Sequence, residues 1–161
     1  MKIVLTGVTR GLGRALAEAF IKGGHTVIGC GRSGDAIFDL RMTHGAPHDF
    51  SVLDVGLDNK VAIWAAKVLE NDSPPDLLIN NAGVMACPLA HTSDGFELQF
   101  GTNHLGHFVF TCSLVPSLLA AAPARVVNLS SAGHKMGSVD LDDPNFEQRE
   151  YEKWLAYGQS K

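Results

Sequence analysis

Cysteine is scarce in this chain. The three present, Cys30, Cys87 and Cys112, are odd in number, far apart and without a CxxC pair, which excludes a disulfide framework and a structural zinc site. They are expected to be reduced residues of a core or pocket. Neither sign of charge dominates: the formal net charge is −4, spread over 161 residues with no basic stripe, so a nucleic-acid partner is not expected. Long apolar runs are missing too. Residues 109–119 and 126–129 are too short or too interrupted to cross a bilayer, and Met1 leads into a strand-like run rather than a signal-peptide layout, so a cytoplasmic protein without a membrane span is expected. His104 and His107 stand one helical turn apart, but no carboxylate or third histidine joins them at ligand spacing, and no metal is expected. There is no GK[ST] after the first glycine-rich turn, no internal repeat beyond the strand–helix rhythm and no low-complexity tract.

What is present is a core. Hydrophobic residues make up 45% of the chain, enough for one domain spanning residues 1–161. The runs 2–6, 26–30, 49–53, 77–80 and 125–129 are short, rich in Val, Ile and Leu, and not alternating, the pattern of strands buried on both faces. Helical patterns lie between them. Leu12, Leu16, Ala19 and Phe20 would share one face, and after a cap at Asp58 so would Val61, Trp64, Ala65, Val68 and Leu69. A longer helix is expected over residues 95–119, interrupted by Gly101 and Gly106, and residues 133–153 read as an acidic surface excursion. Repeated strand–helix units with right-handed connections give an α/β, doubly wound parallel sheet of about five strands in a three-layer α/β/α sandwich of Rossmann type.

The residues after the first strand, Gly7, Thr9, Arg10, Gly11, Leu12 and Gly13, form a glycine-rich turn that opens a helix. There the pyrophosphate of a dinucleotide can meet backbone N–H groups and a helix N-terminus. The second strand ends in Cys30-Gly31-Arg32-Ser33, with no Asp or Glu to accept from a ribose 2′-hydroxyl. Arg32, with Arg10 in the turn, can supply positive charge to a 2′-phosphate, so NADP(H) is expected in preference to NAD(H).

Four further segments complete a pattern: Asn80-Asn81-Ala82-Gly83, Thr102-Asn103-His104-Leu105-Gly106, Val127-Asn128-Leu129-Ser130-Ser131 and Tyr157 four residues before Lys161. With Thr6-Gly7 through Gly13 they occur in the order of the TGxxxGxG, NNAG, helix-asparagine, serine and YxxxK motifs, and the sequence resembles the short-chain dehydrogenase/reductase family from residue 6 to residue 161. The resemblance implies hydride exchange between a nicotinamide and a carbonyl or alcohol substrate. It implies Tyr157 as acid/base, Lys161 as the cation that favours its phenolate and reaches the ribose, Ser131 as donor to the substrate oxygen and Asn103 as holder of a water in the proton relay. Asp54 and Val55 resemble the family's adenine-contacting pair, and Asn81, Ala82 and Gly83 its nicotinamide-ribose turn.

Up to about Asn81 the chain is similar to small pterin-aldehyde-type reductases. From Leu78 onward it is similar to retinol dehydrogenases and the WW-domain-containing oxidoreductase group. The family pattern also implies segments beyond Lys161, so the chain is expected to be a truncated portion. Its last helical turn would fray, the carboxylate at Lys161 would offset the ammonium, and Val126, Val127 and Leu129 would form an open edge. A homo-oligomer or an edge-strand partner would suit that edge. A non-catalytic nucleotide-binding or interaction module, or an inactive fragment, is the alternative to an enzyme.

Overall fold

In the computed structural model, which describes every residue except Leu57, Asn71 and Asp72 and the side chain of Asp58, five strands pair in parallel. They are β1 (Lys2–Thr6), β2 (Thr26–Gly31), β3 (Asp49–Val52), β4 (Leu77–Asn80) and β5 (Arg125–Asn128), in the order β3-β2-β1-β4-β5. Each lies within a residue of the run expected from the sequence. Alternate side chains go to opposite faces of the sheet. Ile3, Leu5, Val27 and Ile79 meet Ala17, Ile37 and Leu40 from the helices α1 (Gly11–Lys22) and α2 (Gly34–His44). Val4, Ile28, Cys30 and Leu78 meet Trp64, Val68, Phe110 and Leu114 from α3 (Asp58–Leu69) and α5 (Gly106–Ala120). Two such covered faces make a three-layer sandwich and explain why the strands carry no polar alternation. Among the described residues no helix is long and apolar enough to cross a membrane.

The helices depart from the sequence expectations in several places. Helix α2 was not expected, because only Ile37 and Leu40 are buried while Phe38 and Met42 are exposed, which blurs its periodicity. On α1 the inward stripe is Gly13, Leu16, Ala17 and Phe20; Ala19 is exposed, and Leu12, more than half exposed, does not join the core. On α3 the expected Val61, Trp64, Ala65 and Val68 are buried, but Leu69 is exposed. The cap expected at Asp58 lies outside the described residues. Cys112 is also exposed rather than in a core or pocket.

The long helix begins later than expected and is not broken. A single turn, α4 (Leu98–Phe100), passes through a π-helical turn (Gly101–Leu105) into α5. Both glycines lie within it because neighbours press on the helix there. A Cβ on Gly106 would collide with the carbonyl oxygen of Val55, and one on Gly101 would lie 2.5 Å from Thr92 Cγ2. The glycines thus allow close approach, of Gly106 to the segment after β3 and of Gly101 to the loop after β4, instead of ending the helix. At the other end of the sheet β5 pairs, among the described residues, only with β4, and Val126 and Val127 are exposed as expected; Leu129 is half-buried against the α1 side of the core.

Helix α5 is tied to β1 through a buried polar contact: His107, 6% exposed, has Nε2 2.9 Å from Thr6 Oγ1. Burial pushes its pKa down to about 4, aided by Lys161 and His104 and opposed by the hydrogen bond to the Asn103 carbonyl. The unfolded chain therefore takes up the proton first. This contribution to stability is complete above the ordinary value of 6.5 and is lost as pH falls toward 4, and it amounts to roughly 3 kcal/mol. His48 is shifted down as well, so the wild type alone cannot isolate the effect. Urea unfolding of wild type and His107→Gln from pH 7 to pH 4 is expected to show a steep loss in the wild type and a shallower one in the variant. Parallel curves would contradict the assignment.

Candidate active site

Right-handed crossovers send the chain after β1 to the α1 face and the chain after β4 to the α5 face, so a crevice opens between the carboxyl ends of these neighbouring strands. A cavity of about 790 Å³ occupies it, within the roughly 300–1,000 Å³ usual for small-molecule sites. All of Gly7, Thr9, Arg10, Gly11, Leu12, Gly13, Arg32, Asp54, Val55, Asn81, Ala82 and Gly83 line it. Leu12 thus faces the cavity rather than the core. Cys30, expected in a core or pocket, lines it as well, and so do Leu53, Val84 and Thr102, which the sequence had not singled out for a site.

The floor is built from backbone. Gly7 has φ +78°, a left-handed conformation that favours glycine, and a Cβ on Gly13 would collide with the Gly7 carbonyl. The turn can therefore lie flat against the start of α1. No side chain caps that helix: Arg10 at its N-cap makes no capping bond and the first turn has no acidic residue, which leaves donors for an anion. Opposite, Asn81 donates from Nδ2 to the carbonyl of Thr6, and the N–H groups of Asn81 and Ala82 both reach Thr6 Oγ1 at 2.9 Å. Among the described residues Thr102 Oγ1, buried behind the wall, has no hydrogen-bond partner. Open N–H groups and a glycine cradle in one cavity fit a nicotinamide dinucleotide.

Charge at the far end is modest. Arg32 Nη1 lies 3.7 Å from Asp54 Oδ2, with both side chains partly exposed. Such pairs are worth roughly 0.2–1 kcal/mol, so the guanidinium is readily released to a stronger anion. Asp54 also accepts from the N–H of Gly56 through Oδ1 at 3.0 Å. Cys30 is fully buried and its thiol is pushed up to about 12, chiefly by burial, so it is not a nucleophile.

Tyr157 and Lys161 stand at the end of α6 (Lys153–Gln159) and just beyond it. The isolated, fraying turn expected from the sequence is replaced by a helix capped and docked at both ends. Glu152 accepts from the N–H groups of Trp154 and Leu155 at its start, where Gln99 also donates to the Lys153 carbonyl. At its end Ser160 Oγ accepts from Asn103 Nδ2. The acidic stretch before it is likewise not a loose excursion. Phe146 and Asp143 are buried, Arg149 stacks over the Phe146 ring at 3.9 Å, and Asn145 accepts the N–H of Glu97. Loss of solvation alone would raise Asp143, but N–H groups of Glu147, Gln148 and Arg149 and the Arg149 guanidinium hold it below its usual range.

Tyr157 is 9% exposed and its ring lies over Gly133, where a Cβ would come within 2.7 Å of Cε1. Lys161 Nζ is 5.9 Å from the ring centroid and 3.4 Å from the carbonyl of Leu129, and a Cβ on Gly83 would sit 3.7 Å from it. The ammonium therefore bridges the tyrosine and the Gly83 edge of the cavity. Burial lowers its pKa. Ser131 Oγ accepts the N–H of Gly133 at 3.0 Å, which leaves its proton to donate. Tyr151 is the wrong tyrosine for acid/base work: burial pushes it up to about 12, and its hydroxyl contacts Cys87 O, Glu97 and Gln99.

The Asn103 amide is anchored within the protein on both sides. Its Oδ1 accepts from the N–H of Val84, and its Nδ2 donates to the Val84 carbonyl and to Ser160. The side chain is committed to joining the cavity wall, the π turn and α6.

The short chain dehydrogenase family pattern matches residues 1–141. Retinol dehydrogenase 13 of Homo sapiens is 42% identical over 168 aligned residues, 99% of this chain and 50% of that protein. Short-chain dehydrogenase/reductase prx1 of Penicillium roqueforti is 49% identical over 113 residues, 68% of this chain and 33% of that protein. Among solved structures, an uncharacterized protein from Mycobacterium paratuberculosis superposes with a TM-score of 0.86 at 40% identity, covering 99% of this chain and 57% of that one. A short-chain dehydrogenase from Streptomyces avermitilis superposes with a TM-score of 0.77 at 29% identity, covering 99% and 55%. The chain spans about half the length of the curated relatives it matches. With the family pattern over most of its length, on a parallel sheet with a glycine-floored crevice, the chain belongs to the short-chain dehydrogenase family.

Proposed function

We propose that the chain binds NADP(H) in the crevice between β1 and β4 and belongs to an oxidoreductase acting on a carbonyl or alcohol. The observation that carries this reading is the convergence of the glycine turn, Arg32, the Asp54-Val55 pair and the 81–83 turn on one cavity, with Lys161 at its edge. The cofactor, when bound, supplies the hydride chemistry. The protein's residues handle binding and the proton. Gly7 through Gly13 and the open start of α1 take the pyrophosphate. Arg32, with Arg10 beside it, favours a 2′-phosphate, and with no acid ending β2 nothing selects the unphosphorylated ribose.

Around the reacting centre, Tyr157 is the acid/base and Lys161 the cation that stabilises its phenolate, since an ammonium beside a phenol favours the charged form. Ser131, with its proton free to donate, orients the substrate oxygen. Asn103, held in place through Val84 and Ser160, would hold a water of the proton relay, as the family pattern implies. The named relatives suggest a lipophilic alcohol or aldehyde, retinol-like in class. A second reading is a nucleotide-binding module that pairs through β5, favoured by the exposed Val126 and Val127 on that edge.

Titration of the chain with NADPH and NADH, followed by nicotinamide fluorescence, is expected to give saturable binding with NADPH preferred. Arg32→Ala should lose most of that preference, about tenfold or more for a charge-assisted phosphate contact. Equal affinity for both nucleotides, or a preference unchanged in the variant, would contradict the NADP(H) assignment. NADPH-dependent reduction of retinal and of a short aromatic aldehyde should fall by about a hundredfold or more in Tyr157→Phe. Unchanged turnover would remove Tyr157 from its role, and binding without turnover in the wild type would favour the module.

A further inference from the structure

Histidine 107 lies outside the residues assigned to binding or proton transfer, yet it sits where the two halves of the crevice join. Thr6 Oγ1, at the end of β1, receives the N–H groups of Asn81 and Ala82, each at 2.9 Å. A hydroxyl has two acceptor positions and one proton. Both acceptor positions are filled, so the contact of 2.9 Å to His107 Nε2 must be one in which the hydroxyl donates and the ring nitrogen accepts. The ring's remaining proton then resides on Nδ1, which donates to the carbonyl of Asn103 at 3.0 Å. A proton on Nε2 would face a hydroxyl with no acceptor position left.

We propose that His107 is a positioning residue, a neutral ring protonated on Nδ1 that holds the 81–82 turn and the Asn103 turn in one register. The connection is continuous. It runs from the N–H groups of Asn81 and Ala82 through Thr6 and His107 to the backbone of Asn103. From the Asn103 amide it passes to Val84 and to Ser160, whose hydroxyl donates to the carbonyl of Tyr157 at 2.8 Å. The turn that lines the cavity and the helix that carries Tyr157 are thereby set relative to each other from beneath. Lys161 and His104 are the charged or titratable groups that act on the ring, from the end of α6 and from the π turn, and both favour its neutral form. The effect on nucleotide affinity rests on the NADP(H) reading above; the protonation pattern does not.

Two measurements on the full chain test this. Long-range ¹H–¹⁵N spectra of the labelled wild type, taken from pH 8 to pH 5.5, are expected to show the buried His107 ring locked neutral with its proton on Nδ1, told apart from the exposed His134, whose Nδ1 also meets a carbonyl, by its absence from His107→Gln. In NADPH titrations, His107→Leu should bind about tenfold more weakly, and His107→Gln, whose amide oxygen can accept from Thr6, should recover a large part of that loss. A ring protonated on Nε2, or one that becomes charged within that range, would overturn the proposal, as would His107→Leu binding NADPH as tightly as wild type. If His107→Leu fails to fold, the wild-type spectrum and His107→Gln decide. If the wild type binds no NADPH, the nucleotide reading falls and the ring's tautomer still settles this one.

Discussion

The site depends on the divergence of β1 and β4. These two strands are hydrogen-bonded neighbours, with Leu5 opposite Ile79, but the chain leaves them toward opposite faces of the sheet. Beyond Thr6 and Asn80 the backbones part: the N–H groups of Gly7 and Val8 stay with the Cys30 carbonyl of β2, while those of Asn81 and Ala82 turn to a side chain. Buried N–H groups without partners would cost about 1–3 kcal/mol each. The Thr6 hydroxyl takes two of them, and the Asn81 amide bonds back to the Thr6 carbonyl. That arrangement keeps the crevice open and its floor rigid. An alanine at position 6 would leave both N–H groups and His107 unsatisfied together.

Much of this was legible in the sequence. Strands buried on both faces read as short unbroken runs of Val, Ile and Leu, and all five were placed within a residue. The turn residues that line the cavity were recognisable because glycine at Gly7 and Gly13 answers a local need, a left-handed φ and a close approach within the same turn. Less was legible where a residue's role is set by something distant in sequence. Gly101 and Gly106 read as helix breakers because the Thr92 methyl and the Val55 carbonyl that press on them belong to other segments. Asn103 was matched to its motif, but its amide partners, Val84 and Ser160, could not be read from spacing. The end of the chain looked frayed because nothing local shows that Asn103 and Gln99 reach α6.

Family membership and local geometry carry different parts of the account. The short-chain dehydrogenase pattern over residues 1–141 stops before Tyr157 and Lys161, so that pair rests on its own placement against Gly133 and Gly83. The placement is coherent: a nine-tenths-buried tyrosine, an ammonium at the cavity edge, and a helix held by Asn103 and Gln99, by Gln159 bonded to Arg149 and Pro144, and by close packing on Gly133 and Gly137. The chain spans about half the length of the curated relatives it matches, and within it the glycine turn, Arg32, Asp54, Val55 and the 81–83 turn line one crevice.

The most direct test of the central claim, that the β1–β4 crevice is a nucleotide site, is backbone hydrogen exchange of the whole chain with and without saturating NADPH. The account predicts added protection in residues 7–13, 30–33 and 81–84, with the β5 edge at 125–128 unchanged. Protection confined to that edge, or no change at the three crevice segments, would contradict it.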